Sequence, residues 1–265
     1  MKTIAITSGK GGVGKTNVAT NLAISLGKSK HRTALLDADL GLANADLVLG
    51  VAPTATLADV LFQGTPLKEA LVPINDYVSL IPAASGIREL ERLTPDKRSL
   101  LLRALDELED EFDYLLIDTG AGIGDNVMFF CDFADAVLLV TIPEPTAITD
   151  AYAMIKLLSK NYGRNELSIV VNQAPSASAA ATVHSKLGDV ANRFLGIQLD
   201  MAGYLPVDHA LPKAVAAQKS IVEADPRSPF SRATLTLAQK LHQRLLHHTA
   251  TRRRELEGQH FASTK

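Results

Sequence analysis

The chain carries a single cysteine, Cys131, in 265 residues. No disulfide framework can form within it, and that thiol usage fits a reducing cytosol. Tryptophan is absent and aromatic residues make up 5%, against 46% hydrophobic residues in all. A core built on Val, Ile, Leu and Ala follows, the filling of a buried sheet rather than of aromatic anchors. Charge of neither sign dominates: the formal net charge is −2, which gives no global pull toward nucleic acid or anionic membranes. Direct nucleic-acid binding is therefore not expected. No uninterrupted apolar run approaches the roughly 20 residues of a membrane span. No leader is visible either, since Met1-Lys2 runs straight into an apolar strand pattern. These absences point to a cytoplasmic protein, and the length suits one large α/β domain.

What is present centres on Ser8-Gly9-Lys10-Gly11-Gly12-Val13-Gly14-Lys15-Thr16. An apolar run, Thr3 to Thr7, precedes it, and a helical pattern with Val18, Leu22 and Leu26 at helical spacing follows. Strand, glycine loop and helix in that order are the context that the phosphate-loop pattern G-x-x-x-x-G-K-[ST] requires. Gly9 and Gly14 are its outer glycines, Lys15 its lysine and Thr16 its hydroxyl. Glycine permits positive φ and lets successive backbone N–H groups converge on an anion at a helix N-terminus. Lys15 is placed to reach the outer phosphates of a nucleotide, and Thr16 to ligate Mg²⁺. Gly11, Gly12, Val13 and Asn17 complete the candidate cradle.

Lys10 is surplus to that pattern. Together with Gly11, Gly12, Gly14, Lys15 and Thr16 it matches K-G-G-x-G-K-[ST], and here the sequence resembles the MinD/ParA family of P-loop ATPases with a deviant Walker A loop. The resemblance implies ATP and Mg²⁺ as ligands. It also implies a homodimer in the ATP state, with Lys10 crossing to the partner's phosphates. The physics is coherent, because two polyanionic nucleotides in one interface repel, and a unit charge pair at 4 Å is worth about 4 kcal/mol near a surface. With one cysteine the chain lacks the paired thiols by which the iron protein of nitrogenase and scaffold ATPases of this fold hold a cluster.

Further candidates follow along the chain. Thr33–Asp37 is an apolar run ending in Asp37-Ala38-Asp39. Carboxylates at a strand end beside a phosphate loop must meet metal, water or a cation, or cap the next turn. The resemblance implies that Asp39 orients the attacking water and that Asp37 supports the Mg²⁺ shell. Tyr114–Ile117 closes on Asp118, a Walker B pattern whose aspartate would hold a Mg²⁺ water. The glycine-rich Gly120–Gly124 after it reads as a mobile switch loop. A strand Ala136–Ile142 leads to Glu144, which is either a loop charge or, by resemblance, a contact to the partner-bound ribose. A helix Ala147–Ser159 is expected after it with Thr146 as N-cap. Asn172, after the strand Ser168–Val171, has donor and acceptor for an adenine edge. The family uses the turn Pro206-Val207-Asp208 to line the base.

Short helices are expected over Leu57–Phe62 and Leu67–Leu71, a short strand over Tyr77–Ile81, and a long helix over Asp96–Glu111. A last strand, Leu199–Leu205, and helices over Ala179–Arg193, Ala210–Ala217 and Arg232–Leu246 complete the pattern. The alternation predicts a doubly wound, mostly parallel sheet with helices on both faces and ligand at the strands' carboxyl ends. Residues 1–248 read as one ATPase domain, and 249–265 as a polar, disordered tail with Arg252-Arg253-Arg254. Phe230–His248 reads either as core packing or as a reversible lipid anchor at the inner membrane or a pole.

The segments Asp37–Asp46, Pro82–Gly86, Asp118–Asp125 and Glu144–Tyr152 together resemble the FlhG/FleN (YlxH) flagellar-number ATPases, over about Lys2 to Ser228. This implies restraint of flagellar number or placement through a flagellar transcription activator or a basal-body or secretion component. A MinD-type septum-site role or a ParA-type chromosome or cargo-positioning role is the alternative.

Overall fold

The computed structural model describes the backbone of residues 1–84, 86–90 and 92–262, with side chains as far as 246 apart from that of residue 88. The strands are β1 (Lys2–Ser8), β2 (Thr33–Ala38), β3 (Val72–Asn75), β4 (Val78–Ile81), β5 (Tyr114–Ala121), β6 (Ala136–Thr141), β7 (Leu167–Ala174) and β8 (Asp200–Pro206). The helices are α1 (Lys15–Lys28), α2 (Ala45–Leu49), α3 (Pro95–Asp106), α4 (Asp125–Phe133), α5 (Pro145–Tyr162), α6 (Ala177–Leu195), α7 (Ala210–Ala216), α8 (Ile221–Ala224) and α9 (Pro229–Ala262).

All eight strands form one sheet in the order β3-β4-β2-β5-β1-β6-β7-β8. Every pairing is parallel except β3 with β4. The central strands are buried on both faces, which is why β1, β2, β5 and β6 read as continuous apolar runs. Alternate residues serve opposite sides. Ile4, Ile6, Leu35, Leu116 and Leu138 face α1 and α9, whereas Ala5, Leu36, Leu115, Ile117 and Leu139 face the layer of α3 to α6. The chain order reverses at β1, which has β5 on one side and β6 on the other. Sheets of this kind open a crevice at such a point, beyond the strands' carboxyl ends, and the glycine loop stands there.

The parallel sheet and most element positions agree with the sequence pattern. Several details do not. β3 was not expected: it holds four residues and Pro73, and it lies at the sheet edge, where a missing N–H is tolerated. The short helices expected over Leu57–Phe62 and Leu67–Leu71 are present, as a π-helical turn at Asp59–Gln63 and a 3₁₀ turn at Leu67–Ala70. The helix read over Asp96–Glu111 is α-helical only to Asp106, and turns carry the chain on to β5. α4 follows the switch loop directly and was missed. Thr146 is not a cap: Pro145 occupies the first turn of α5, and Glu144 stands at the N-cap position.

α9 runs down one face of the sheet. Phe230, Leu237, Leu241 and Leu245 are buried in the cluster shared with Val18, Leu22 and Leu26 of α1. Arg244 is bonded to Ser168 Oγ at 2.7 Å and to the Asp200 carboxylate. The α9 backbone continues past residue 248 to Ala262. The side chains of the tail 249–265, with its arginine triplet, lie outside the described residues, as do its last three residues altogether. Among the described residues, no helix is long and apolar enough to cross a membrane.

Candidate functional site

The loop between β1 and α1 takes its shape from two demands on glycine. Gly12 and Gly14 have φ of 79° and 82°, a left-handed backbone that other residues resist. Gly9 answers a different demand: a Cβ there would stand 2.2 Å from the Asp150 carbonyl oxygen. The loop thus leans on the backbone of α5. Gly14 also has no room, because a Cβ would meet Asn172 Nδ2 at 2.6 Å. The loop floors a cavity of about 650 Å³ lined by Gly11 to Asn17 and, across from them, by Asp39, Asn44, Val48 and Val215.

Three carboxylates gather at the ends of β2 and β5. Lys15 Nζ donates to Asp118 Oδ1 at 2.7 Å, with the two side chains only 7% and 1% exposed. Burial pushes the Asp118 carboxyl up, against the pull of the Lys15 ammonium. Its other oxygen, Oδ2, is buried and meets no donor at full hydrogen-bond geometry, although the Thr16 hydroxyl lies close enough to draw the carboxyl down. An orphan carboxylate oxygen is costly, and a cation-bound water beside Thr16 would satisfy it. The donor set, a hydroxyl and a carboxylate, is the hard-oxygen chemistry Mg²⁺ selects. These residues therefore fit Mg²⁺.

Asp37 is differently engaged. Its Oδ2 accepts from the backbone N–H of Asn44 at 3.0 Å and Ala45 at 2.9 Å, and its Oδ1 from Asp39 at 3.1 Å. Burial, and then the charge of Asp118, push its carboxyl up to about 7, although those three N–H groups pull the other way. Asp37 thus fastens the turn leading into α2, the capping role that the sequence left open. Asp39 is half-buried on that turn. Its Oδ1 accepts from Leu42 N at 3.3 Å and would lie 3.6 Å from a Cβ on Gly120. The catalytic candidate and the switch loop are thus neighbours.

Lys10 points away from the cavity. Its Nζ donates to Glu144 Oε2 and to Thr146 Oγ1, both at 3.0 Å, at the start of α5 in the same chain. Asn172, expected at a base edge, is 1% exposed and donates its Nδ2 to the Val13 carbonyl at 2.8 Å. Its amide nitrogen braces the loop from below. The turn after β8 is held by Val207 N donating to Ala174 O at 3.3 Å. Asp208 accepts from Ala210 N at 2.9 Å and Phe230 N at 3.1 Å. Burial pushes the Asp208 carboxyl up, but these bonds outweigh it and hold it below the usual range. Pro206 and Val207 are left on the outside of the turn, Val207 well exposed.

The structure brings Lys15, Thr16 and Asp39 to the lining of one cavity, with Asp118 buried against Lys15 and Asp37 buried beneath the turn of Asp39, and sets Lys10 and Glu144 together. Sequence reasoning missed others. Asn21 donates Nδ2 to Asn17 O at 2.7 Å and accepts from Ser220 Oγ at 2.7 Å, tying α1 to α8. Asn126 joins the start of α4 to Leu90 O at 2.9 Å and Leu93 N at 3.1 Å. Nothing in the local pattern marks these amides, because Ser220 for Asn21, and Leu90 and Leu93 for Asn126, are distant in sequence.

Comparison with known proteins agrees with this geometry. The family model described as ParA, NUBPL iron-transfer P-loop NTPase, matches residues 1–242. The antiactivator FleN of Pseudomonas aeruginosa is 44% identical over 241 residues, covering 91% of this chain and 86% of FleN. The flagellum site-determining protein YlxH of Helicobacter pylori is 37% identical, covering 88% of this chain and 79% of YlxH. Among solved structures, the septum site-determining protein MinD of Pyrococcus horikoshii, complexed with Mg-ADP, superposes with a TM-score of 0.74 at 27% identity, over 91% of this chain and 95% of that one.

Proposed function

Because this chain belongs to the ParA/MinD family of P-loop NTPases, we propose that it is an ATP-driven dimerisation switch restraining flagellar number or placement. The observation that carries the flagellar role is the 44% identity to the antiactivator FleN across 91% of the chain. The stretch Glu144–Tyr152, which ATP chemistry does not demand, supports the same reading. The iron transfer named in the family description finds little support in a chain with one cysteine, buried at Cys131.

In this reading residues 1–248 work as one ATPase unit. The Gly9–Thr16 backbone holds the triphosphate, with the base toward Asn172 and the turn Pro206-Val207-Asp208. Lys15 leaves Asp118 for the outer phosphates. Thr16 and Asp118 would hold Mg²⁺ and its water, with Asp37 keeping the neighbouring turn in place. Bound there, Mg²⁺ neutralises charge on the phosphate oxygens. Asp39 orients the attacking water. Lys10 exchanges Glu144 and Thr146 for the partner's phosphates, and Glu144, released, is free to meet the partner-bound ribose. Unassisted turnover is slow, on the order of 10⁻³ to 10⁻² s⁻¹, so that dimer lifetime carries the signal. The protein works in the cytoplasm in this reading, with any membrane or polar contact transient.

The test is capture from a flagellated cell by the Asp39→Ala protein loaded with Mg-ATP. Recovery of a flagellar transcription activator or basal-body component is the expected result. Recovery of neither, together with hydrolysis stimulated by DNA, would replace this reading with a ParA-type positioning role.

A further inference from the structure

β5 does not run evenly into the switch loop. Its pairing with β1 keeps step as far as Ile6 with Asp118 and resumes at Ser8 with Ala121. Two residues of β5, Thr119 and Gly120, therefore stand opposite Thr7 alone. That is a β-bulge, and bulges beside active sites end a ladder or re-aim a side chain. This one falls between Asp118 and the glycine-rich stretch, at the level where β1 leaves for the phosphate loop.

One hydroxyl fastens the bulge. Thr119 is fully buried, as is Thr7. Thr119 Oγ1 lies 2.8 Å from the Gly120 carbonyl oxygen, 3.1 Å from Thr7 Oγ1 and 3.2 Å from the Ile6 carbonyl oxygen. A hydroxyl has one proton to give, and the shortest of these contacts is to Gly120. What it holds there is a peptide plane that glycine alone would leave free to turn. β5 lies between β1 and β2, and the oxygens around Thr119 gather on the β1 side. With the Gly120 carbonyl drawn that way, the planar trans peptide sends the Ala121 N–H the other way, toward β2 and Asp39. A Cβ on Gly120 would lie 3.6 Å from Asp39 Oδ1. Gly120 and Asp39 also line one cavity of about 170 Å³, while Ala121 lines the larger cavity over the phosphate loop.

We infer that Thr119 is a positioning residue for hydrolysis, whose hydroxyl fixes the Gly120–Ala121 peptide, the first step of the switch loop, against Asp39. The inference deepens the ATPase reading and rests on it. Thr119 has no surface of its own to offer a nucleotide and acts through that peptide.

The test compares Thr119→Val, which keeps the branched shape and removes the donor, with Thr119→Ser, which keeps the donor. Hydrolysis of Mg-ATP, calorimetry with Mg-ADP and thermal melts are measured on the wild type and both variants. Thr119→Val should lower kcat about tenfold, the effect of one hydrogen bond on a barrier, with KM and Mg-ADP affinity unchanged. Thr119→Ser should restore kcat. If Thr119→Val does not fold, Thr119→Ala set against Thr119→Ser makes the same comparison of hydroxyl absent and present. A kcat that survives loss of the hydroxyl would overturn the inference, as would a serine variant as slow as the valine one. So would kcat, Mg-ADP affinity and melting temperature all falling together, the mark of a merely structural role. Each of these outcomes leaves the ATPase reading standing, whereas a wild type that does not hydrolyse Mg-ATP would remove that reading and the inference with it.

Discussion

With Lys15 and Asp118 sealed from water at 2.7 Å, neither can lose its partner cheaply. Removing one member of a buried pair costs about 3–5 kcal/mol, less whatever Asp118 recovers by taking a proton, which burial already favours. Lys15→Ala should therefore lower the melting temperature of the nucleotide-free protein as well as abolish Mg-ATP binding in calorimetry. Unchanged affinity would contradict the role given to this lysine. Cys131 supplies a pH dependence. Burial pushes its thiol up to about 12, above the ordinary value of about 8.5. The sign follows: the stability it contributes is full below about 8.5 and drains away as pH rises toward about 12, because the unfolded chain ionises first. A thiol reagent at pH 8 should leave the native protein untouched and react with one equivalent after denaturation. The residue identities here were legible because the phosphate loop fixes a pattern. Their partners were only partly legible: capping of the next turn by Asp37 is local in sequence, whereas the hold of Asn172 on Val13 joins the end of β7 to a loop 159 residues away.

At the scale of elements, helix α9 decides how the carboxyl-terminal region is understood. Its leucines alternate with Lys240 and Arg244, a pattern that fits a membrane surface and a protein core equally well. Packing distinguishes them: Phe230, Leu237, Leu241 and Leu245 are buried against α1, and Arg244 is engaged at the start of β7 and β8. Leu241→Ala should cost about 2–5 kcal/mol in denaturant unfolding, the range for a buried leucine. A neutral outcome would mean that the helix leaves the sheet readily. The sheet itself was legible because strands buried on both faces must be apolar throughout. β3 was not, since four residues with a proline carry no period. α4 was hidden for another reason: Gly120–Gly124 drew attention as a loop, and Asp125–Phe133 is only nine residues long, too short to display a clear stripe.

For the whole molecule, the net charge of −2 offers little long-range attraction between copies, so the association proposed above must draw on specific contacts at the nucleotide. In the proposed function Lys10 is the residue through which that dependence runs. In the single chain it is satisfied by Glu144 and Thr146 at 3.0 Å, and a triphosphate on a second copy must outcompete them. Under that proposal these contacts are a resting arrangement that the chain leaves only when ATP is present. The measurement that tests this most directly is sedimentation velocity of Asp39→Ala in Mg-ATP, with Lys10 intact and with Lys10→Ala added. The account predicts a dimer with Lys10, a monomer without it, and monomers of both in Mg-ADP. A dimer that persists without Lys10, or monomers throughout, would contradict it.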